Sequence, residues 1–159
     1  MKIGVTGHQE RNGIEWEWVR KEIDKFLWGK NSLRGYSSLA AGTDQVFAEC
    51  VLFRNGILIA VIPGVGYRKL FTGQSLEKFD RLLAMSEKIE LSSDEPSEHS
   101  FLEAGKWIAR NSDMMVAVWD GEPAEGRGGT GDIVTYALSL GKLVHHIDPI
   151  KKTISKLSW

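Results

Sequence analysis

Short apolar runs alternate with amphipathic segments along most of this 159-residue chain. Apolar runs rich in β-branched residues are typical of buried strands, and apolar residues spaced near 3.6 are typical of helices. The runs predict six strands, at 2–7, within 34–44, and at 57–64, 88–93, 114–120 and 142–149. The amphipathic segments predict helices at 13–29, 45–56, 74–86, 97–110 and 131–140. The tail, 150–159, receives no assignment.

The alternation of strands and helices predicts the fold class. Short connections between successive elements favour parallel strands joined by helices that cover both faces of a sheet. We therefore expect an α/β fold, a Rossmann-like, mostly parallel sheet of about six strands flanked by helices. Residues 1–159 are expected to form a single domain, since the chain has no linker or low-complexity stretch.

Composition and charge narrow the class of protein. Apolar residues make up 42% and charged residues 26%, which is ordinary for a globular domain. No apolar run approaches the roughly 20 residues of a membrane span. The net charge is −1 without a long basic run, which predicts no electrostatic footprint for nucleic acid and no membrane partner but leaves a local basic pocket open. Cys50 is the only cysteine, which excludes an intramolecular disulfide and favours the reducing cytoplasm.

Glycine-bearing turns follow the carboxyl ends of three predicted strands, in "TGHQ" (6–9), "LAAGTD" (39–44) and "GGTGD" (128–132). Open α/β sheets bind ligands at this edge, and helix N-termini there attract phosphate or carboxylate groups. Three such turns in one small domain favour a nucleotide-sized anion over turns that serve the fold alone. The dinucleotide fingerprint G-x-G-x-x-G and the phosphate-binding G-x-x-x-x-G-K-[ST] are both absent, which disfavours ordinary NAD binding and excludes a Walker-type ATPase.

The ordered segments "GVTGHQ", "LAAGTDQVFAE", "VIPG", "NSDMMVAVWDG" and "GGTGDIVTYALSLGK" resemble the SLOG superfamily over nearly the whole chain. This superfamily includes the Lonely Guy phosphoribohydrolases and nucleotide-sensing domains of bacterial defence systems. The resemblance implies a Rossmann-like domain that binds a nucleotide or a nucleotide-derived signal. It also implies one pocket surrounded by Gly7, His8, Gly42, Asp44, Asp120, Gly129, Thr130 and Asp132.

The chain departs from the catalytic relatives at the residues that matter most. Lonely Guy hydrolases carry P-G-G-x-G-T-x-x-E; here the glutamate position is Thr135, and their Arg-Lys pair falls near Ala104 and Gly105. Nucleoside 2-deoxyribosyltransferases are similar over "GTGDIVTYALSLGK", but their nucleophilic glutamate aligns with Ile133. Isoleucine cannot act as a nucleophile. Both familiar glycosidic mechanisms therefore lack a necessary group, and no catalytic residue is assigned.

The complete set of candidate ligand-binding residues adds Thr43, Trp119, Gly128 and Gly131 to those eight. Trp119 is a candidate to stack on a base, with packing as the equal alternative, and His8 is a candidate phosphate or base contact. Tyr67 and Phe71 lie in a loop that either closes over ligand or is anchored by its aromatic residues. His145 and His146 point to opposite faces of a strand, so no metal site is expected. No cofactor is expected either.

Three functions remain open. The leading one is a noncatalytic sensor or carrier of a nucleotide derivative. The second is an enzyme that cleaves or transfers an N-glycosidic bond, with Asp132, Asp120, Asp44 or Glu125 replacing the missing glutamate. The third is an assembly domain whose turns bind nothing.

Self-association is a separate expectation. Trp16, Trp18 and Trp28 lie on one short predicted helix but not on one narrow stripe, at about 100° per residue. At least one of them is expected to be exposed in a monomer, which favours a homo-oligomer that uses this helix.

Overall fold

One sheet of seven strands lies at the centre of the molecule, and helices pack on both of its faces. The computed structural model describes residues 1–9, 11–123 and 129–159. The strands are β1 (Lys2–Gly7), β2 (Arg34–Ser37), β3 (Ile57–Ile62), β4 (Glu87–Glu90), β5 (Met114–Val118), β6 (Leu143–Asp148) and β7 (Thr153–Leu157). The helices are α1 (Trp16–Leu27), α2 (Thr43–Phe53), α3 (Gly73–Ala84), α4 (Glu98–Asn111) and α5 (Thr130–Ser139), with a 3₁₀ helix at Tyr67–Leu70.

The order of the strands is β4-β3-β2-β1-β5-β6-β7. From β1 the chain adds β2, β3 and β4 on one side, and then returns to the other side of β1 to add β5 and β6. These six strands are parallel, and β7 is antiparallel to β6. The direction of winding therefore reverses between β1 and β5, which is where open α/β sheets place their ligands.

Alternate residues of the central strands pack against different helices. Val116 and Val118 of β5 belong to an apolar cluster with residues of α1, α2 and α3. Met115 and Ala117 belong to a second cluster, with residues of α4 and α5. This period of two is the expected consequence of burying a strand on both faces, and it explains why the central runs are continuously apolar.

Helices α4 and α5 approach closely beneath the site described below. Gly105 of α4 makes this possible, because a Cβ atom there would lie 2.4 Å from Cδ1 of Ile133 on α5. Gly105 is also one of the two positions near which the Arg-Lys pair of the Lonely Guy hydrolases falls. In this chain it serves helix packing.

The predicted Rossmann-like α/β fold and its six strands are confirmed, and β7 is an additional strand that the sequence pattern did not reveal. Its residues are mostly exposed, with Ile154 at 42%, so no apolar run marks the strand. A turn after β6 leads into it: Oδ1 of Asp148 accepts hydrogen bonds from the backbone nitrogens of Ile150 and Lys151, at 2.9 and 3.0 Å.

Cys50 lies buried in α2, and burial raises the pKa of its thiol to about 11. No helix in the described part of the chain has the length and apolar character needed to cross a membrane.

Candidate functional site

A cavity of about 990 Å³ opens at the carboxyl ends of β1, β2, β3 and β5. It therefore lies at the reversal of strand order between β1 and β5. From β3 to β5 it crosses three strand spacings, or about 14 Å, which matches the length of a nucleotide. Helices α2, α4 and α5 all begin beside it, since residues from the first turn of each line its wall.

The wall nearest β3 is apolar and aromatic. Tyr67 and Phe71 are buried, with their rings in edge contact at 5.1 Å between centroids, and both rings pack against Phe79 behind them. Phe101 of α4 lies 6.2 Å from the Tyr67 ring and completes this wall. The 3₁₀ helix is thus anchored by its aromatic residues, and the same residues line the cavity. This wall offers flat apolar surface to a ring system.

The opposite end is polar and is formed by the loops that follow β1 and β5. Nε2 of His8 accepts a hydrogen bond from the backbone nitrogen of Asp120 at 3.2 Å, and Nη1 of Arg11 lies 3.2 Å from the same atom. Arg11 also donates to Oδ2 of Asp120. Two loops distant in sequence are therefore joined by an imidazole, a guanidinium and a carboxylate.

Asp120 is held as a carboxylate. Burial acts to raise its pKa, but hydrogen bonds from Arg11 and from the backbone nitrogen of Glu122, together with nearby positive charge, outweigh burial and hold the pKa below its usual value. A general acid needs a proton near neutral pH, so this carboxylate is poorly suited to that role. Its position suits it to orient Arg11 and His8.

Asp44 lies between the two ends and has the opposite electrostatic behaviour. Burial raises the pKa of its carboxyl group to about 7, although hydrogen bonds from the backbone N–H groups of Ala40 and Ser38 lower it. The same buried environment, together with the charge of Asp44, raises the pKa of Tyr67. Strongly perturbed carboxyl groups in clefts are frequent at functional sites, which makes Asp44 a candidate.

The start of α5 forms the floor of the polar end. Its N-cap is Gly129, which offers no side-chain acceptor to the first backbone N–H groups of the helix. Gly129 has φ −66° and ψ 162°, an ordinary extended conformation, so the backbone does not require glycine there. Gly129 lines the cavity together with Thr130 and Gly131. Two of the sequence candidates, Glu125 and Gly128, lie outside the described residues.

The structure brings most of the other candidate residues together. Those that line the cavity are Gly7, His8, Asp44, Trp119, Asp120, Gly129, Thr130 and Gly131. Gly42 and Thr43 lie behind it and join two loops, since Thr43 Oγ1 donates to the His8 carbonyl at 2.8 Å. Asp132 is exposed on α5 and is not among the lining residues.

Arg11 and Phe101 line the cavity but were not identified from the sequence. Arg11 had a detectable signal, because it is a cation four residues beyond Gly7 at the end of β1. Phe101 had none, because its pattern is that of any apolar residue on an amphipathic helix. Ile133, at the position of the transferase nucleophile, lines the cavity with an aliphatic side chain. No cluster of metal-ligating side chains occurs among the described residues.

Comparison with known proteins supports the fold. No protein-family model matches this chain, and no curated protein matches it in sequence. Among solved structures, DNA processing protein A from Streptococcus pneumoniae superposes with a TM-score of 0.65 and 23% identity, over 92% of this chain and 50% of that one. DNA processing protein A from Helicobacter pylori superposes with a TM-score of 0.69 and 16% identity, over 93% of this chain and 65% of that one. The structural-genomics target TM1055 superposes with a TM-score of 0.57 and 19% identity, over 89% of this chain and 70% of that one.

These structures share the Rossmann-like fold that the SLOG resemblance implies. This chain spans about half the length of the Streptococcus pneumoniae protein. At such identities the similarity establishes the fold alone.

One prediction is overturned by this comparison. The absence of a nucleic-acid footprint, inferred from net charge, is contradicted because the Helicobacter pylori neighbour is described by its single-stranded DNA binding mode. Net charge sums over the whole surface and does not report a local site. A cavity with one well-placed cation and several backbone N–H groups can contact phosphate in a chain whose net charge is −1.

Proposed function

We propose that this chain is a SLOG-type domain whose cavity binds a nucleotide or a nucleotide-derived small molecule as a sensor or carrier. The observation that carries this proposal is that the two ends of the cavity differ in chemical character. An aromatic wall lies at the β3 end, and a guanidinium, an imidazole and a helix start lie at the β5 end. A nucleotide has a matching arrangement, because its flat base and its anionic phosphate are held apart by a sugar.

The phosphate is assigned to the β5 end. In the first turn of α5 the backbone nitrogen of Asp132 already donates to the Gly129 carbonyl at 3.1 Å, so the donors assigned to phosphate are the N–H groups of Thr130 and Gly131, at the positive end of the helix dipole. The glycine cap leaves them without a side-chain acceptor. Arg11 lies at the same end and supplies a fork of donors that suits phosphate.

The base is assigned to the aromatic wall of Tyr67, Phe71 and Phe101. Trp119 is a weaker candidate for stacking, because its ring is already engaged. Its Nε1 atom donates to the Glu122 carbonyl at 2.8 Å, and the ring lies 5.4 Å from that of His146. This arrangement favours packing for Trp119 and leaves its edge to the ligand.

Binding without reaction is favoured by the state of the carboxylates. Asp120 is committed to Arg11, and Ile133 replaces the nucleophile of the transferases. Asp44 is the one described lining carboxyl group with a strongly raised pKa, so it is the residue on which the alternative, a relocated glycosidic activity, depends.

Single-stranded DNA is a second candidate ligand. Two structural neighbours are DNA processing proteins, and one is described by its single-stranded DNA binding mode. A strand placed in the same cavity would use the same phosphate and base contacts.

Thermal unfolding with added ligand tests the proposal. Adenosine, guanosine, cytidine and uridine 5′-monophosphates are compared with the free nucleosides, which lack the phosphate, and with a dodecamer of deoxythymidine. A mononucleotide at about 100 times its Kd adds roughly 2.7 kcal/mol and raises Tm by several degrees. Chromatography of the same samples detects released base. A shift with the dodecamer alone favours DNA, released base favours an enzyme, and no shift with any ligand refutes the proposal.

A further inference from the structure

We infer that Asp44 determines which nucleotides the cavity accepts, by keeping phosphate away from the β2–α2 turn and binding a hydroxyl or amino group of the ligand there. This inference rests on the proposed function. The inference adds to the proposed function by defining the ligand as one that is anionic at a single end.

The β2–α2 turn has the backbone geometry of an anion site, but the carboxylate of Asp44 occupies it. Leu39 is fully buried and has φ 59°, a left-handed conformation that is uncommon outside glycine. On either side of it, the backbone N–H groups of Ser38 and Ala40 are directed at the carboxylate of Asp44, with Ala40 N and Oδ2 separated by 3.2 Å. Concave arrangements of backbone N–H groups bind anions, and here the anion is Asp44.

Charged side chains line both ends of the cavity, but its lysine or arginine side chain lies at one end. The titratable or charged lining side chains, besides Asp44, are Tyr67 from the 3₁₀ helix, Glu98 from α4, His8 and Arg11 from the β1–α1 loop, and Asp120 and Glu122 beyond β5. Among the described lining residues, Arg11 is the one lysine or arginine. It contacts Asp120 at the end of β5, two strand spacings, or about 10 Å, from β2.

A nucleotide whose phosphate lies beside Arg11 therefore presents its sugar or the edge of its base to Asp44. Ligand hydroxyl and amino groups donate hydrogen bonds that a carboxylate accepts. A second phosphate at this place would lie against a carboxylate in a partly buried site, where like charges repel strongly. Burial raises the pKa of Asp44 to about 7, so most Asp44 side chains are ionised at pH 8 and repel a second phosphate there.

Calorimetric titrations at pH 8 compare adenosine 5′-monophosphate with adenosine 3′,5′-bisphosphate. The 3′-deoxy monophosphate is included because it lacks the hydroxyl group without adding charge. The wild-type chain is expected to prefer the monophosphate over the bisphosphate by at least about tenfold. Asp44→Asn keeps a side-chain oxygen for the N–H groups of Ser38 and Ala40 but removes the charge, so the preference should fall to within about threefold. Glu17→Gln, an equal loss of charge on the exposed face of α1, should retain the wild-type preference.

The outcomes separate this inference from the proposed function. Equal affinity of the wild-type chain for the two ligands overturns the inference while nucleotide binding stands, and so does an unchanged preference in Asp44→Asn. A loss of preference in Glu17→Gln as large as that in Asp44→Asn also overturns it, because net charge would then explain the effect. If the wild-type chain binds neither nucleotide, the proposed function fails and the inference fails with it.

Discussion

The Nε2 atom of His8 and the backbone nitrogen of Asp120 lie 3.2 Å apart, although 112 positions separate the two residues in the sequence. Because the backbone nitrogen donates, Nε2 is the acceptor in this bond. The bond fixes the ring against the loop that follows β5. It thereby joins the two strands between which the winding of the sheet reverses.

Removal of this acceptor should destabilise the fold. His8→Ala leaves the partly buried N–H group of Asp120 without its partner, and we expect the free energy of unfolding to fall by about 1–3 kcal/mol in urea titrations. His8→Gln retains an acceptor and should recover part of the loss. His99→Ala, on the exposed face of α4, should change stability by less than about 0.5 kcal/mol. Equal effects of the two alanine variants would contradict this role of His8.

Gly42 is required by both its conformation and its surroundings. Its φ is +85°, and a Cβ atom there would lie 2.9 Å from backbone atoms of His8 and Gln9, which cannot move aside like a flexible side chain. Gly42→Ala should therefore lower the free energy of unfolding by more than about 2 kcal/mol. Gly141→Ala is the matched control, since Gly141 has φ +73° with nothing within 4 Å. It should cost about 1 kcal/mol, and an equal loss in both variants would show that close contact adds nothing at Gly42.

The comparison of sequence and structure has a simple physical pattern. Turns at strand ends were predictable, because glycine and short polar residues after an apolar run mark the edge at which His8, Trp119 and Gly129 now meet. Contacts between distant loops were not predictable, and Asp44 shows why. Its raised pKa is caused by burial, and the N–H groups that oppose this rise are positioned by a left-handed Leu39, a conformation that no pattern around leucine indicates. The strand β7 was missed because its exposed residues form no apolar run.

Space at the start of α5 should control ligand affinity. Because Gly129 has φ −66°, valine can occupy this position without backbone strain, and its branched side chain would fill the space assigned to phosphate. We expect Gly129→Val to weaken binding of 5′-mononucleotides at least about tenfold while the circular dichroism spectrum remains native. Thr72→Val changes the N-cap of α3, outside the cavity lining, and should bind normally. Unchanged affinity in a folded Gly129→Val protein would show that the phosphate does not bind beside Gly129.

Asp44 should make stability fall as the pH rises. Burial raises its folded-state pKa from 3.8 to about 7, so its contribution to stability is fully present below about pH 4 and is lost as the pH passes 7. The asparagine side chain of the Asp44→Asn variant does not titrate. The stability of this variant relative to wild type should therefore increase between pH 4 and pH 8, by an amount on the order of 2–4 kcal/mol, in urea titrations.

Asp80 provides the control for this pH dependence. Its hydrogen bonds from Arg68 lower its pKa, so Asp80 is ionised in both the folded and unfolded states above about pH 5. The difference between Asp80→Asn and wild type should stay constant from pH 5 to pH 8. A difference for Asp44→Asn that is equally flat over this range would show that the Asp44 carboxyl group is not perturbed by the fold.

Self-association through α1 remains a prediction, and the structure now identifies the tryptophan to test. Trp16 and Trp18 are partly buried against the apolar core, whereas Trp28 is 69% exposed at the end of α1. Exposed tryptophan is frequent at protein interfaces. Light scattering at micromolar concentration should give about twice the chain mass of 17.8 kDa, and Trp28→Ala should return it to that of one chain. Trp159→Ala, at an 81% exposed residue of the C-terminal tail, should leave the dimer intact. A wild-type mass of one chain at these concentrations would exclude the dimer.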